Sequence, residues 1–280
     1  MATQIKGIDV SKWQGEIDWK KVKADGVEFA FIRAGYWTNY TDPYFEKNYN
    51  NAKAAGVKVG AYHYSYALTA AQAKKEAEFM LTLLKNKQFD YPVAFDLEND
   101  ATQLSLGKKI LTDMAVAFCE IIKTAGYNPM LYINTNWRNN FVDMSRIIGV
   151  YHLWQAHYPP NPANRPAAVD DKVAVWQYSS TGKINGISGN VDLNWGYVDL
   201  SKPAAQKPST PAVTPPPVST AIALGDTVKV KQGAKSYEGV SIASFVYSRT
   251  FKVDQLKGDR AVLDIKGICT AFNTKDLIKA

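Results

Sequence analysis

The first 200 residues read as short apolar strands alternating with amphipathic helices, and this alternation restricts the possible folds more than any other feature. Candidate strands run Ile5 to Val10, Phe29 to Ala34, Val57 to Tyr64, Pro92 to Leu97, Pro129 to Asn134, His152 to Gln155, Val173 to Tyr178 and Gly189 to Leu193. Between the first five lie IDWKKVKADG, YFEKNYNNAKAAG, AAQAKKEAEFMLTLLKNK and SLGKKILTDMAVAFCEIIKTAG, helical in pattern and several closed by a Gly. FVDMSRIIG is the place for a fifth helix. The joins PPNPANRPAAVDDK and STGKINGISG carry too much Pro and Gly for helices. The expected fold is α/β: an irregular TIM-like β/α barrel of about five β/α units, plus three strands without helices, expected to run antiparallel.

The barrel pattern stops at SKPAAQKPSTPAVTPPPVSTA, residues 201–221, which holds six of the chain's 13 Pro and neither Gly nor an aromatic residue. It reads as a semi-rigid linker. The expected division of the 280 residues is therefore 1–200, a catalytic domain; 201–221, the linker; and 222–280, a second, small all-β domain. Residues 1–200 carry 21 basic and 20 acidic side chains, the linker two Lys, and residues 222–280 ten basic and six acidic, so the net +7 divides as +1, +2 and +4. A small basic module suits an anionic polymer. No apolar run approaches the ~20 residues of a membrane helix, and two Cys cannot make a disulfide framework. MATQIKGIDV lacks the basic and apolar regions of a secretory signal, so export through a cleaved signal is not expected.

PVAFDLEND, residues 92–100, carries the chemistry. Val93, Ala94 and Phe95 read as a buried strand, and Asp96 and Glu98 follow at the two-residue spacing that puts both on one face. Burying an unpaired carboxylate costs several kcal/mol, roughly, so two at a barrel's strand end point to function. Asp9, in KGIDVSKWQG at the end of the first strand, and Asp192, in SGNVDLNWG at the end of the last, occupy equivalent places. The first and last strands of a closed barrel are neighbours, so Asp9 and Asp192 should meet, with Asp96 and Glu98 across the mouth. Like charges so placed raise the pKa of at least one acid, and glycoside hydrolysis needs such a pair: a protonated acid at the leaving oxygen and an ionised group beside the anomeric carbon. Loop capping is the other use of a lone Asp at a strand end, and an oxygen-rich cluster also suits Mg or Ca.

Aromatic company favours a sugar over a metal. Tyr62 and Tyr64 end the third strand, Tyr36 follows the second, Trp137 follows the fifth, Gln155 lies in the sixth and Tyr178 in the seventh. Sugar rings present apolar faces between hydroxyl edges, which such side chains match. Neither Cys119 nor Cys269 has an evident His partner, and His63, His152 and His157 lack metal-ligand spacing, so no metal and no cofactor are expected. His63 is out of phase with Tyr62 and Tyr64 and reads as packing.

Taken together, GIDVSKWQG, FAFIRAGYW, VGAYHYSYA, PVAFDLEN, YINTNW and WQYSSTG followed by GNVDLN resemble the successive strand motifs of the glycoside hydrolase family 25 lysozymes across residues 5–198. The resemblance implies an irregular β/α barrel and a muramidase that cuts peptidoglycan between N-acetylmuramic acid and N-acetylglucosamine. It makes Glu98 the catalytic acid. It gives Asp96 the oxocarbenium-like centre or the 2-acetamido group of a substrate-assisted route, and places Asp9 and Asp192 at the pocket floor. The direct and substrate-assisted routes both fit this spacing.

LGDTVKVKQG, FKVDQLKGD and AVLDIKG in the tail alternate as short strands, similar to the SH3-like wall-binding modules of bacterial and phage lysins. Tyr237 and Tyr247 are its candidate wall contacts, with core packing as the other use of such rings; a stabilising or dimerising module is the competing use of the domain. The expected partner is peptidoglycan, with neither nucleic acid nor membrane involved, and the chain acting as a monomer or as a dimer through this domain. The whole resembles a phage endolysin made in the host cytoplasm and released by a holin-type protein. A bacterial autolysin of the same chemistry and a non-hydrolytic wall-binding protein are the alternatives.

Overall fold

The structure is a computed structural model and describes residues 4–162, 165–202, 204, 222–264 and 267–279. The chain divides into two compact units, Met1–Pro208 and Ser209–Ala280. Most of the expected linker, 201–221, lies outside the described residues.

The first unit is an eight-stranded barrel. Its strands are β1 (Ile5–Val10), β2 (Phe29–Tyr36), β4 (Lys58–Tyr64), β5 (Val93–Asp96), β6 (Pro129–Asn134), β7 (His152–Ala156), β8 (Val175–Gly182) and β9 (Val191–Gly196). β1 pairs with β2 on one side and β9 on the other, which closes the sheet. A two-residue strand, β3 (Tyr40–Thr41), hangs on the edge of β2 as a hairpin. Helices α1 (Trp19–Ala24), α2 (Phe45–Ala54), α3 (Ala70–Leu84) and α5 (Lys108–Thr124) return the chain between the early strands. A short α4 (Asp100–Gln103) follows β5.

Two expectations need correction. Only β9 is reversed: β7 is parallel to β6, and β8 is parallel to β7. The connection between β7 and β8 carries the chain back to the end of the barrel where β7 began, with no helix among its described residues, and Arg165 donates to Val169 O at 2.7 Å while Arg138 pairs with Asp170 at 2.6 Å. Nor does FVDMSRIIG form the fifth helix. That helix is α6 (Thr135–Asn140), which starts directly after β6 because the Asn134 side chain accepts from Trp137 N at its first turn. Only a single turn of 3₁₀ helix, Met144–Arg146, follows.

Apolar side chains divide between two layers. Trp19, Phe45, Met80, Phe95, Phe118, Trp137 and Trp176 fill the shell between barrel and helices. Phe29, Phe31, Tyr62, Met130, Tyr132 and Trp154 fill the barrel itself. Their bulk needs glycine on neighbouring strands: a Cβ on Gly7 would sit 2.1 Å from the Phe29 ring, and one on Gly60 2.4 Å from the Phe31 ring. This aromatic plug fills the lower barrel, and the acids lie above it at the C-terminal ends of the parallel strands.

The second unit is a five-stranded antiparallel sheet in the order β13 (Thr270–Asn273), β12 (Arg260–Leu263), β11 (Thr250–Lys257), β10 (Thr227–Val230), β14 (Leu277–Lys279). Val228, Phe251, Val253, Leu263 and Phe272 form its core, the alternate residues of strands with one wet face.

Candidate active site

At the open end of the barrel a cavity of about 240 Å³ is lined by Asp9, Asp96, Glu98 and Asp192 together. Asp9 is the penultimate residue of β1, Asp96 the last of β5, and Glu98 follows it by two. Asp192 reaches the same rim by the opposite route. It is the second residue of β9 and not near its end, but β9 is reversed, so its start lies beside the ends of the others. Asp9 and Asp192 are direct cross-strand partners.

Burial acts on all four acids. It pushes Glu98 up to about 7, aided by the Asp192 and Asp100 charges and opposed by the Tyr132 hydroxyl. Burial raises Asp96 as well, then the charges of Glu98 and Asp9, while Arg33 pulls it back. Asp9 is raised by burial and by Asp192, and lowered by two amides. Those amides are Asn194, donating to Asp9 Oδ2 at 2.8 Å, and Gln177, donating to the same oxygen at 2.9 Å. Asn194 is held in turn by the Trp154 indole at 2.8 Å. One Asp96 oxygen, Oδ1, is buried without a hydrogen bond among the described residues. The site thus combines a carboxyl poised near neutrality with a buried acid free to accept, the arrangement that acid-assisted cleavage of an acetal requires.

Around the acids, Tyr62 and Tyr64 line the cavity. Tyr36 stands outside it on the rim, stacked on Tyr40 with ring centroids 3.9 Å apart. Three further expected contacts lie elsewhere. Trp137 is fully buried in the outer shell on α6, its indole donating to Asp100 at 2.6 Å. Gln155 is fully buried on the outer face of β7, accepting from Arg138 at 2.7 Å and donating to Thr135 at 2.9 Å. Tyr178 stacks on Trp195, 5.7 Å between centroids, against the outer core. Strand parity explains the last two: Gln155 pairs with Trp176 and Ala156 with Gln177, so Trp154 and Gln177 face inward while Gln155 and Tyr178 face out.

The reading from residues chose Tyr178 over its neighbour Gln177, and missed Asn194 and Arg33 as site members. Arg33 enters the cavity wall from β2. Asp42 holds it through a 2.8 Å bond to Nε, and itself accepts from the backbone N–H groups of Lys12 and Tyr44, each at 3.0 Å. A charged Arg inside an apolar strand, FAFIRAGY, was the available signal. In the second unit, Tyr237 is exposed and donates to Asp259 at 2.9 Å, whereas Tyr247 packs on the core and donates to Ala234 O at 2.8 Å. His63 is fully buried between Phe79 and Phe118, and burial lowers its pKa to about 3.

Comparison with known proteins agrees with this fold. The autolytic lysozyme of Clostridium acetobutylicum is 32% identical over 192 residues, which cover 68% of this chain and 55% of that protein; the chain thus spans about half the length of this relative. A lysozyme from Streptomyces coelicolor superposes with a TM-score of 0.60 at 27% identity, covering 73% of this chain and 98% of that one. The CTP1L endolysin also superposes with a TM-score of 0.60, at 29% identity over 69% of this chain and 66% of its own. The family model described as glycosyl hydrolases family 25 matches residues 8–187, which include Asp9, Asp96 and Glu98 and stop short of Asp192, and the chain belongs to that family.

Proposed function

We propose that the protein is a muramidase that hydrolyses the β-1,4 bond between N-acetylmuramic acid and N-acetylglucosamine in peptidoglycan. The observation that carries this reading is Glu98, held near pKa 7 in one cavity with Asp96, Asp9 and Asp192. Protonated Glu98 delivers its proton to the glycosidic oxygen as the bond breaks. Asp96 serves the opposite side, where positive charge grows at the anomeric carbon or where the 2-acetamido group is aligned for attack. Asp9 and Asp192 set the floor, and burial with the Asp192 charge keeps Glu98 protonated. Tyr62 and Tyr64 offer apolar faces and hydroxyls to the sugars, with Tyr36 beyond them on the rim.

Residues 222–280 are proposed as an SH3-like wall-binding module joined by the Pro-rich stretch 201–221. Its net +4, its single-cored sheet and the exposed Tyr237 support a role on an anionic wall. The relation to the CTP1L endolysin supports a phage lysin that reaches the wall after another protein opens the membrane. Digestion of purified walls tests the chemistry: new reducing ends should appear while free amino groups stay constant, and Glu98→Gln should abolish the release. Reducing ends released equally by that variant would refute the assignment.

A further inference from the structure

Two of the largest exposed side chains in the first unit flank the mouth of the acidic cavity. Trp13 is 75% exposed and belongs to the cavity's lining. Trp37 is 51% exposed and sits at the tip of the β2–β3 hairpin with φ +52°, a left-handed backbone that a bulky side chain adopts only at a cost. Turn geometry alone would favour Gly or Asn there. Trp37 is held over Tyr66, 5.0 Å between centroids, and Tyr66 touches Tyr64 of the cavity at 5.1 Å. On its other side Trp37 meets Tyr36 at 5.8 Å, which stacks on Tyr40.

Between the two tryptophans stands Lys12. Its ammonium lies 4.9 Å from the Trp13 ring centroid and 5.3 Å from that of Tyr40, and donates to the Tyr40 hydroxyl at 3.2 Å. Its own backbone N–H is fastened to Asp42, the anchor of Arg33, but among the described residues the ammonium itself makes no ion pair. A cation on an aromatic shelf beside four acids repels nothing in a neutral sugar and attracts a carboxylate that the cavity itself would repel.

We propose that this rim is an outer subsite of the cleft, in which a sugar ring beyond the two flanking the cut bond stacks on Trp37, and Lys12 receives a carboxylate of the peptide stem carried by the glycan. The inference rests on the muramidase reading for the identity of the polymer. The ligand class is an N-acetylated amino-sugar strand bearing acidic peptide substituents.

Binding of soluble glycan fragments to the full-length Glu98→Gln chain, followed by titration calorimetry, tests it. Adding Trp37→Ala should weaken a peptide-bearing hexasaccharide roughly tenfold, an energy of about 1.4 kcal/mol, and shrink the affinity gained between disaccharide and hexasaccharide. Lys12→Gln should weaken the peptide-bearing hexasaccharide and not the same hexasaccharide stripped of peptides. Trp37→Gly, which suits the left-handed backbone, should lose affinity as Trp37→Ala does without melting earlier. Unchanged hexasaccharide affinity in the Trp37 variants, no binding by the Glu98→Gln chain, or a loss in Lys12→Gln that ignores the peptides would overturn the subsite. Reducing-end release by the unmodified chain tests the muramidase reading separately, so a failed subsite and a failed activity give different results.

Discussion

Gln177 donates to Asp9 Oδ2 at 2.9 Å while its own Oε1 accepts the hydroxyls of Tyr132 at 2.9 Å and Tyr158 at 2.5 Å. One amide therefore ties the floor acid to a tyrosine that faces Glu98, and only one orientation of the amide satisfies all three bonds. Gln177→Leu should leave Asp9 Oδ2 with Asn194 as its one remaining amide donor and take the acceptor from the buried Tyr132 hydroxyl, lowering stability by about 1–3 kcal/mol. Displacement of the tyrosines should lower kcat roughly 10²-fold. Chemical denaturation and wall digestion by the same variant check both numbers; a kcat near that of the parent would show that Asp9 is oriented without the amide.

The pH profile follows from Glu98. The acid must carry a proton to act, and its pKa is raised to about 7, so kcat should fall as pH rises through that value. The Tyr132 hydroxyl holds the pKa down, so Tyr132→Phe should move the falling limb to higher pH. A limb that stays in place or moves down in that variant would contradict the assignment.

The same burial has a cost in stability. Glu98 binds its proton more tightly folded than unfolded, so its contribution is fully present below the unfolded pKa of about 4.3 and is lost as pH rises through about 7. Glu98→Gln should consequently raise the melting temperature of the barrel at pH 8 more than at pH 4. Equal shifts at both pH values would show that the carboxyl is not the source.

The gathering of the four acids was legible because a carboxylate at the edge of an apolar strand contradicts its surroundings, as in DVSK and FDLEN at strand ends and, contrary to expectation, in NVDLN at the start of the reversed β9. The amides and aromatics were not, because period-two alternation identifies two faces without saying which one turns inward. WQYSS holds Trp176, Gln177 and Tyr178 in succession, and only the β7–β8 register puts Gln177 over Asp9. Trp137 misled for another reason: the strand in YINTNW ends at Asn134, whose side chain starts a helix that carries the indole away into the outer core. The reversal of β9 was expected of three strands and occurs in one, since a Pro-rich loop can return a chain to the far end of a barrel as a helix does.

Arg33 and Asp42 form an ion pair at 2.7 Å with both side chains almost wholly buried. Removing one partner leaves the other charge uncompensated, so Arg33→Met should destabilise the barrel by about 3–5 kcal/mol. The double variant Arg33→Met with Asp42→Asn should recover part of that loss. Urea denaturation of the three variants measures the coupling, and purely additive losses would mean the two side chains act independently.

Glu76, on α3, accepts from the Ser65 hydroxyl at 2.7 Å and from Tyr66 N at 2.9 Å, while Gln103 donates to Ala67 O at 2.9 Å. These bonds fasten the turn after β4 that carries Tyr66 and adjoins Tyr64. Glu76→Leu should speed amide exchange at residues 65–67 without comparable change in α5, as followed by hydrogen exchange. Unaltered exchange at those residues would mean that Gln103 suffices.

Because β9 runs backwards, the barrel begins and finishes on the same side: Gly196 pairs with Ile5, at the floor, while Asp192 and Asp9 share the mouth. In a barrel of eight parallel strands the last would finish at the mouth, and whatever followed would have to pass the cleft. Here a dye or a bead attached beside Ile5 sits at the base, the end of the barrel opposite the acids. Protein immobilised through a residue beside Ile5 should therefore keep the barrel's entrance turned away from the support.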